Sequence, residues 1–303
     1  MGGYSGATEG HDRYLMDRAT FLGGPALLLW ATLALLSRAA ASLPPFQLAA
    51  MTFAVSGGLG LAWLWARRGP GASHGAPWGA PRVPPLAWLH GVGGLFGYHA
   101  LFFAAMARAP AAEANLLNYS WPLLMVLLSA PLLHLRLTAR HLLGVITGLS
   151  GSLLLLAQGT NFTRGALTGY ICAFGAALTW ALYSLLARRM RGVPTEAVAG
   201  FCAASAILAL AAHIAFETTV TPDRQALAAV LALGVGPVGA AFFLWDIAMK
   251  RGDPRLLGAL AYATPVASTI ILGFAGFAPL SLSTAAATLL VAAGGWIATG
   301  ASR

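Results

Sequence analysis

The chain has very little charge. Asp, Glu, Lys and Arg make up 9% of its 303 residues, hydrophobic residues make up 58%, and the mean hydropathy is +0.74. So few polar side chains cannot cover a soluble globule of this length, which excludes a water-soluble domain. Cysteine is nearly absent. Cys172 and Cys202 both fall inside apolar runs, where a free thiol behaves as a small hydrophobe, so they read as packing residues and say little about redox compartment. Neither H-E-x-x-H nor G-x-S-x-G occurs. Gly148-Leu149-Ser150-Gly151-Ser152 fails the latter because Ser152 replaces its final glycine, so an intramembrane hydrolase lacks its usual parts. The seven histidines are scattered over different segments, which leaves no metal site, and no cofactor is expected. The first 18 residues are polar and Gly-rich and have no apolar stretch ahead of a cleavage site, so they read as a short tail.

What the chain does have is long apolar runs. Ten are legible, at roughly 20–40, 45–66, 86–107, 112–134, 139–157, 165–187, 196–216, 226–248, 255–276 and 281–300. As helices, each can cross a hydrocarbon core about 30 Å thick. The continuous run from Leu123 to Leu133 does not alternate apolar and polar residues, which rules out outer-membrane strands. The expected fold class is therefore an all-α membrane protein.

The net charge of +9 gives no reason to expect a nucleic-acid partner, because the basic residues sort by membrane face. With the N-terminus in the cytoplasm, 14 of the 18 Lys and Arg residues fall on that side, and only Arg38, Arg108, Arg164 and Arg224 fall on the other. The positive-inside rule then puts both termini in the cytoplasm. Miscounting one helix would move every later cluster across the membrane and destroy the asymmetry. The connection from Arg67 to Pro85, rich in Gly and Pro, reads as a flexible linker.

The chain also repeats itself. Gly91, Val92, Gly93, Ala105, Met106, Arg108, Leu117, Tyr119 and Pro122 recur 143 positions later as Gly234, Val235, Gly236, Ala248, Met249, Arg251, Leu260, Tyr262 and Pro265. At a spacing of 150, Trp30, Leu35 and Arg38 answer to Trp180, Leu185 and Arg188. Each half holds five runs. An odd number of crossings inverts the second half relative to the first, the architecture of secondary transporters. The expected organisation is a cytoplasmic tail at 1–19, a first five-helix repeat at 20–157 and an inverted second repeat at 158–303.

Gly234-Val235-Gly236-Pro237-Val238-Gly239 spells the G-x-G-x-x-G dinucleotide fingerprint. No strand precedes it and an apolar run surrounds it. Close helix contact with a bend at Pro237 explains the residues better. Gly144, Gly148 and Gly151 form a small-residue stripe suited to helix packing.

Aromatic and polar side chains at mid-span face a cavity or another helix, because hydrocarbon offers polar groups no partner. The candidates are Tyr98, His99 and Phe102 on the third run, and Asn115, Tyr119 and Trp121 on the fourth. Trp245 and Asp246 lie on the eighth, Tyr262 and Thr264 on the ninth, and Trp30, Trp180 and Tyr183 on the first and sixth. Pro122 and Pro265 should break their helices symmetrically, freeing the carbonyls of Asn118 and Ala261 where transporter sites form. Asp246 is the one acidic residue deep in a run. Binding an amino group, relaying a proton and bonding a neighbouring helix all remain open to it.

The five-plus-five duplication, with Glu113-Ala114-Asn115-Leu116-Leu117-Asn118-Tyr119-Ser120-Trp121-Pro122 and its counterpart ending at Tyr262 and Pro265, resembles the EamA-like branch of the drug/metabolite transporter superfamily. The resemblance runs from Ala26 to Gly300 and is to the bacterial aromatic amino-acid exporter type. That superfamily often has an acidic residue before a Leu-Thr or Leu-Ser pair, where this chain has Arg136 and Pro279. The resemblance implies a multi-pass protein of the bacterial inner membrane that is not an enzyme and exports aromatic amino acids and related metabolites through a central cavity. Rings can stack on an aromatic substrate and neutral polar groups can satisfy a zwitterion. No Lys or Arg cluster lies deep in the runs, which disfavours anionic sugar-phosphate substrates. A multidrug exporter for hydrophobic cations, relying on Asp246, is the alternative. A membrane scaffold or lipid-modifying enzyme is the second. The expected partners are a small-molecule substrate and the lipid bilayer. The sequence leaves the oligomeric state open.

Overall fold

The computed structural model describes residues 5–67, 83–156, 162–277 and 281–299. Most of the expected linker, together with Pro279, lies outside them. Among the described residues every regular element is helical. Among the same residues, nine stretches are long and apolar enough to cross a membrane: Arg18–Ala39, Pro45–Ala66, Pro85–Met106, Glu113–Leu133, Arg164–Met190, Ala197–Phe216, Arg224–Arg251, Pro254–Phe274 and Leu282–Thr299.

The helices are α1 (Ser5–Ala31), α2 (Leu33–Ala39), α3 (Pro45–Ala66), α4 (Pro85–Met106), α5 (Ala111–Asn118), α6 (Trp121–Leu133) and α7 (Ala139–Leu156). They continue with α8 (Leu167–Ala187), α9 (Ala197–Phe216), α10 (Arg224–Val235), α11 (Ala241–Arg251), α12 (Pro254–Ala261), α13 (Ala263–Phe274) and α14 (Leu282–Thr299). The stretch expected as a tail is helical from Ser5 onward. Pro45 and Pro85 occupy the first helical position of α3 and α4, where the missing N–H has no intrahelical partner to lose. Asp223 and Asp253 cap α10 and α12 by accepting from the backbone N–H of Ala226 and Arg255.

Several apolar runs are interrupted. The fourth breaks at Tyr119-Ser120 between α5 and α6, and the ninth breaks at Tyr262 between α12 and α13. Pro122 lies in the first turn of α6 and Pro265 in the first turn of α13, where proline restarts a helix without forfeiting a bond. The eighth run contains a π-helical turn, Gly236–Ala240, joining α10 to α11. A side chain at Gly239 would collide with the Gly234 carbonyl, so this turn needs glycine.

The chief packing partners are α7 with α14, α3 with α9, α4 with α8, α1 with α11, α6 with α8, and α6 with α12. Glycine permits the closest approaches. A Cβ on Gly144 would sit 2.7 Å from the Gly294 carbonyl oxygen, one on Gly57 would sit 2.6 Å from the Ala203 nitrogen, and one on Gly258 would sit 3.0 Å from the Pro122 carbonyl oxygen. The Gly144 stripe thus lies against α14 and Tyr262 within the same chain. Large apolar side chains such as Phe21, Trp65, Phe216, Phe274 and Trp296 are exposed on the outside of the bundle, as a hydrocarbon solvent allows.

Candidate functional site

The broken helices surround a cavity of about 390 Å³. Leu33, Ala34 and Ser37 contribute from α2, Leu48, Ala49 and Thr52 from the start of α3, and Tyr98, His99, Phe102, Phe103 and Met106 from the end of α4. Asn115, Asn118, Tyr119 and Trp121 follow from α5 and α6, with Thr264 and Ser268 from α13. The cavity therefore extends toward the short connections 40–44 and 107–110, at one end of the bundle.

A cluster of rings forms its floor. Trp30 meets Trp180 with ring centroids 5.3 Å apart and Trp245 at 5.0 Å. Trp121 lies 6.4 Å from Trp180, and Tyr98 lies 5.2 Å from Trp180 while stacking on Phe102 at 6.0 Å. Edge-to-face contacts of this kind fix ring orientation beyond what burial alone does. The π-helical turn is tied into the same floor. Trp30 Nε1 donates to the Pro237 carbonyl at 3.0 Å and Ser56 Oγ donates to the Val238 carbonyl at 3.1 Å, which satisfies backbone oxygens in an apolar setting.

Among the described residues that line the cavity, none is Asp, Glu, Lys or Arg. Its polar groups are neutral dipoles. Asn118 Nδ2 donates to the Tyr98 hydroxyl at 3.1 Å, leaving the tyrosine proton free to point elsewhere. Asn118 Oδ1 and Thr264 Oγ1 are buried with no hydrogen-bond partner among the described residues. His99 Nδ1 lies 2.7 Å from the Leu95 carbonyl, which can only accept, so Nδ1 carries a proton. A planar ring with one amino and one carboxylate group can be stacked and hydrogen-bonded here without a fixed counter-charge.

Of the residues singled out from sequence, Trp30, Tyr98, His99, Phe102, Asn115, Tyr119, Trp121, Trp180, Thr264 and Pro237 come together around this cavity. The others lie elsewhere. Trp245 sits behind the ring floor and donates to Ser184 Oγ at 3.0 Å. Tyr183 stacks on His90, with centroids 5.0 Å apart, and covers Gly94. Tyr262 is fully buried among Val126, Val145, Val266 and Val291. Pro122 and Pro265 are buried at the helix breaks without lining the space. Sequence reasoning missed Asn118 as a side chain, and also Phe103, Phe242, Thr52 and Ser268. A phenylalanine in an apolar run carries no sign of which way it faces.

Asp246 belongs to the opposite end. Its carboxylate accepts from Thr195 Oγ1 at 2.6 Å and pairs with Lys250 Nζ at 2.7 Å, and Lys250 also donates to the Val193 carbonyl at 2.7 Å. This pair opens a network across the end remote from the cavity mouth. Arg188 donates to the Gly252 carbonyl, Arg191 to that of Lys250, Arg189 to that of Leu132 and Arg255 to that of Arg136. Arg255 also clasps the Asp253 carboxylate, while the Asp253 backbone N–H donates to Thr20 Oγ1 at 2.9 Å. Burial alone would raise the Asp253 carboxyl, but hydrogen bonds and charge from Arg255 outweigh it and hold the group below its ordinary value.

The model of the EamA-like transporter family matches residues 20–157 and again 167–300. The aromatic amino acid exporter YddG of Ancylobacter novellus is 47% identical over 284 residues, covering 93% of this chain and 96% of that protein. A protein of the same name from Salmonella typhimurium is 23% identical over 93% of this chain and 98% of its own length. A solved crystal structure superposes with a TM-score of 0.88 at 46% identity, covering 95% of this chain and 98% of the other. A transporter fold explains why a protein without enzymatic motifs keeps a polar, ring-lined space inside a bilayer. With its apolar spans and family match, the chain is a multi-pass protein of the bacterial inner membrane, and it belongs to the EamA-like transporter family.

Proposed function

We propose that the protein exports aromatic amino acids and related small metabolites from the cytoplasm by alternating access. The observation that carries this reading is the cavity walled by Trp30, Tyr98, Trp121 and Trp180, which among the described residues has no charged lining side chain and holds Asn118 Oδ1 and Thr264 Oγ1 without a hydrogen-bond partner. The name of the Ancylobacter relative supports the same substrate class. The multidrug reading depended on a carboxylate available to a cationic compound. Asp246 is instead paired with Lys250 away from the cavity, which favours the amino-acid reading.

In this reading ten segments cross the membrane, the tenth crossing being α7, an 18-residue helix packed along α14. A tail at 1–19 precedes repeats at 20–157 and 158–303, and both termini are cytoplasmic. Two features support the inverted repeat. The family model matches the chain twice. The main helix pairs also map onto one another when the first and second five runs are exchanged, since the second pairs with the seventh, the fourth with the ninth and the fifth with the tenth, while first-with-eighth becomes sixth-with-third. The cavity mouth then faces outward and the arginine network closes the cytoplasmic side.

The test is flux of radiolabelled phenylalanine and tryptophan in proteoliposomes, with and without an imposed proton gradient. Flux of both is expected, and a lack of flux under both conditions would remove the amino-acid assignment. Trp121→Ala and Tyr98→Ala should cripple flux while leaving insertion intact. Unchanged transport by such inserted variants would detach the cavity from function.

A further inference from the structure

Two polar atoms of the cavity lining, Asn118 Oδ1 and Thr264 Oγ1, are buried without a hydrogen-bond partner among the described residues. They differ in what they require. A hydroxyl donates or accepts as needed, whereas an amide oxygen can only accept. Asn118 therefore sets the polarity of its part of the wall. The residue is 5% exposed and its Nδ2 is already engaged with the Tyr98 hydroxyl at 3.1 Å, so Oδ1 calls for a donor brought by whatever occupies the cavity.

The backbone has the same polarity. Asn118 is the last residue of α5, and the C-terminal end of a helix carries partial negative charge. Pro122 has no N–H, so the Asn118 carbonyl four residues earlier lacks its usual helical donor. Beside this acceptor stands a donor, because a Tyr98 hydroxyl that accepts from Nδ2 keeps its own proton to give. An amide carries its oxygen and nitrogen on one carbon. The acceptor Oδ1 and the donor hydroxyl are therefore neighbours, as the amino and carboxylate groups of an amino acid are neighbours on one carbon.

Resting on the aromatic amino-acid reading, we propose that Asn118 is the residue that recognises the substrate amino group: Oδ1 accepts from the ammonium, and the Tyr98 hydroxyl held by Nδ2 donates to the carboxylate. A preference follows from burial. An aromatic acid without the amino group leaves Oδ1 buried and unpaired, whereas an aromatic amine without the carboxylate leaves only the half-buried Tyr98 hydroxyl. The wall thus favours amines over acids.

Calorimetric titration of the purified full chain with tryptamine and with indole-3-propionate at neutral pH tests this apart from transport. Missing flux of tryptophan would remove the export reading, whereas these titrations read the polarity of the wall alone. Tryptamine should bind at least about fivefold more tightly than indole-3-propionate. Asn118→Leu should weaken tryptamine about tenfold and remove its advantage. Asn118→Asp should tighten tryptamine about tenfold and weaken indole-3-propionate by at least as much, a reversal of effect that a purely structural asparagine would not give. Tyr98→Phe removes the donor and leaves Oδ1, so it should weaken indole-3-propionate more than tryptamine. Indole-3-propionate binding as tightly as tryptamine would mean that Nδ2 rather than Oδ1 faces the cavity, and would overturn the proposal. Failure to bind either compound, or tryptamine affinity unaltered in folded Asn118→Leu and Asn118→Asp variants, would overturn it as well.

Discussion

The two ends of the bundle are held together by different physics. At the cavity end, contact is made by rings and a few neutral hydrogen bonds, such as Asn118 to Tyr98. At the other end, the guanidiniums of Arg188, Arg189, Arg191 and Arg255 reach backbone carbonyls on neighbouring helix ends, and Asp246 and Lys250 pair while buried. Ring contacts are shallow and tolerate rearrangement, whereas charge-assisted bonds are directional and costly to leave unmade. The open end can therefore adapt its shape to a solute, while the closed end is either locked or released as a unit.

The most damaging way to break the contrast is Asp246→Ala, which strands the Lys250 ammonium in a buried site. A loss of about 3–5 kcal/mol in unfolding free energy is expected, and Asp246→Ala combined with Lys250→Met should recover most of it. Detergent thermal melts of the two variants would read this, and a double variant no more stable than the single would deny the pairing its role. Next is Trp180→Ala at the ring floor, where the lost burial costs about 3–5 kcal/mol in a packed interior but less beside a cavity, with a drop in flux of at least about tenfold. Arg255→Gln severs the clasp on Asp253 and the bond to Arg136, at about 1–3 kcal/mol. It should raise labelling of a single cysteine placed at Ser184, beneath the ring floor, by a membrane-permeant thiol reagent, while labelling at Ser37 in the cavity wall falls. Tyr98→Phe removes one hydroxyl and should raise the KM for export about fivefold with little change in maximal rate.

The smallest effect is titration of Asp253. Its carboxyl is held below the ordinary value in the folded protein, so the stability it contributes is complete above about pH 4, the value of a free aspartate, and is lost as pH falls through the lower folded value. Melting temperature below about pH 4 should therefore fall more steeply for the wild type than for Asp253→Asn. Parallel curves would assign acid sensitivity elsewhere.

Much of this was legible in the sequence because hydrocarbon penalises misplaced polarity. The mid-run positions of Tyr98, His99, Asn115 and Thr264 have few explanations other than an internal space, and they line one. The prolines announced the helix breaks. What stayed hidden was direction. Trp245 and Asp246 are sequence neighbours, but successive residues on a helix point about 100° apart, so one reaches the ring floor and the other reaches Lys250. Matching positions also diverge. Tyr119 faces the cavity while Tyr262, its counterpart 143 positions later, is sealed among valines. A cavity that extends toward one end of the bundle cannot use both tyrosines of such a pair alike, and the sequence does not say toward which end it extends.

The string at 234–239 shows how one spelling can serve two unrelated purposes. In a soluble nucleotide-binding protein, glycines at that spacing leave room for a pyrophosphate. In this chain the vacancy at Gly239 is filled by the molecule's own backbone, because it allows the carbonyl of Gly234 to crowd inward as the helix takes on a surplus residue. The surplus turns two main-chain oxygens outward as docking points for Trp30 and Ser56, from different segments, so a wrinkle in one helix becomes a three-way joint. Any side chain at 239 would press the wrinkle flat and undo the joint from within, at a position that no solute touches.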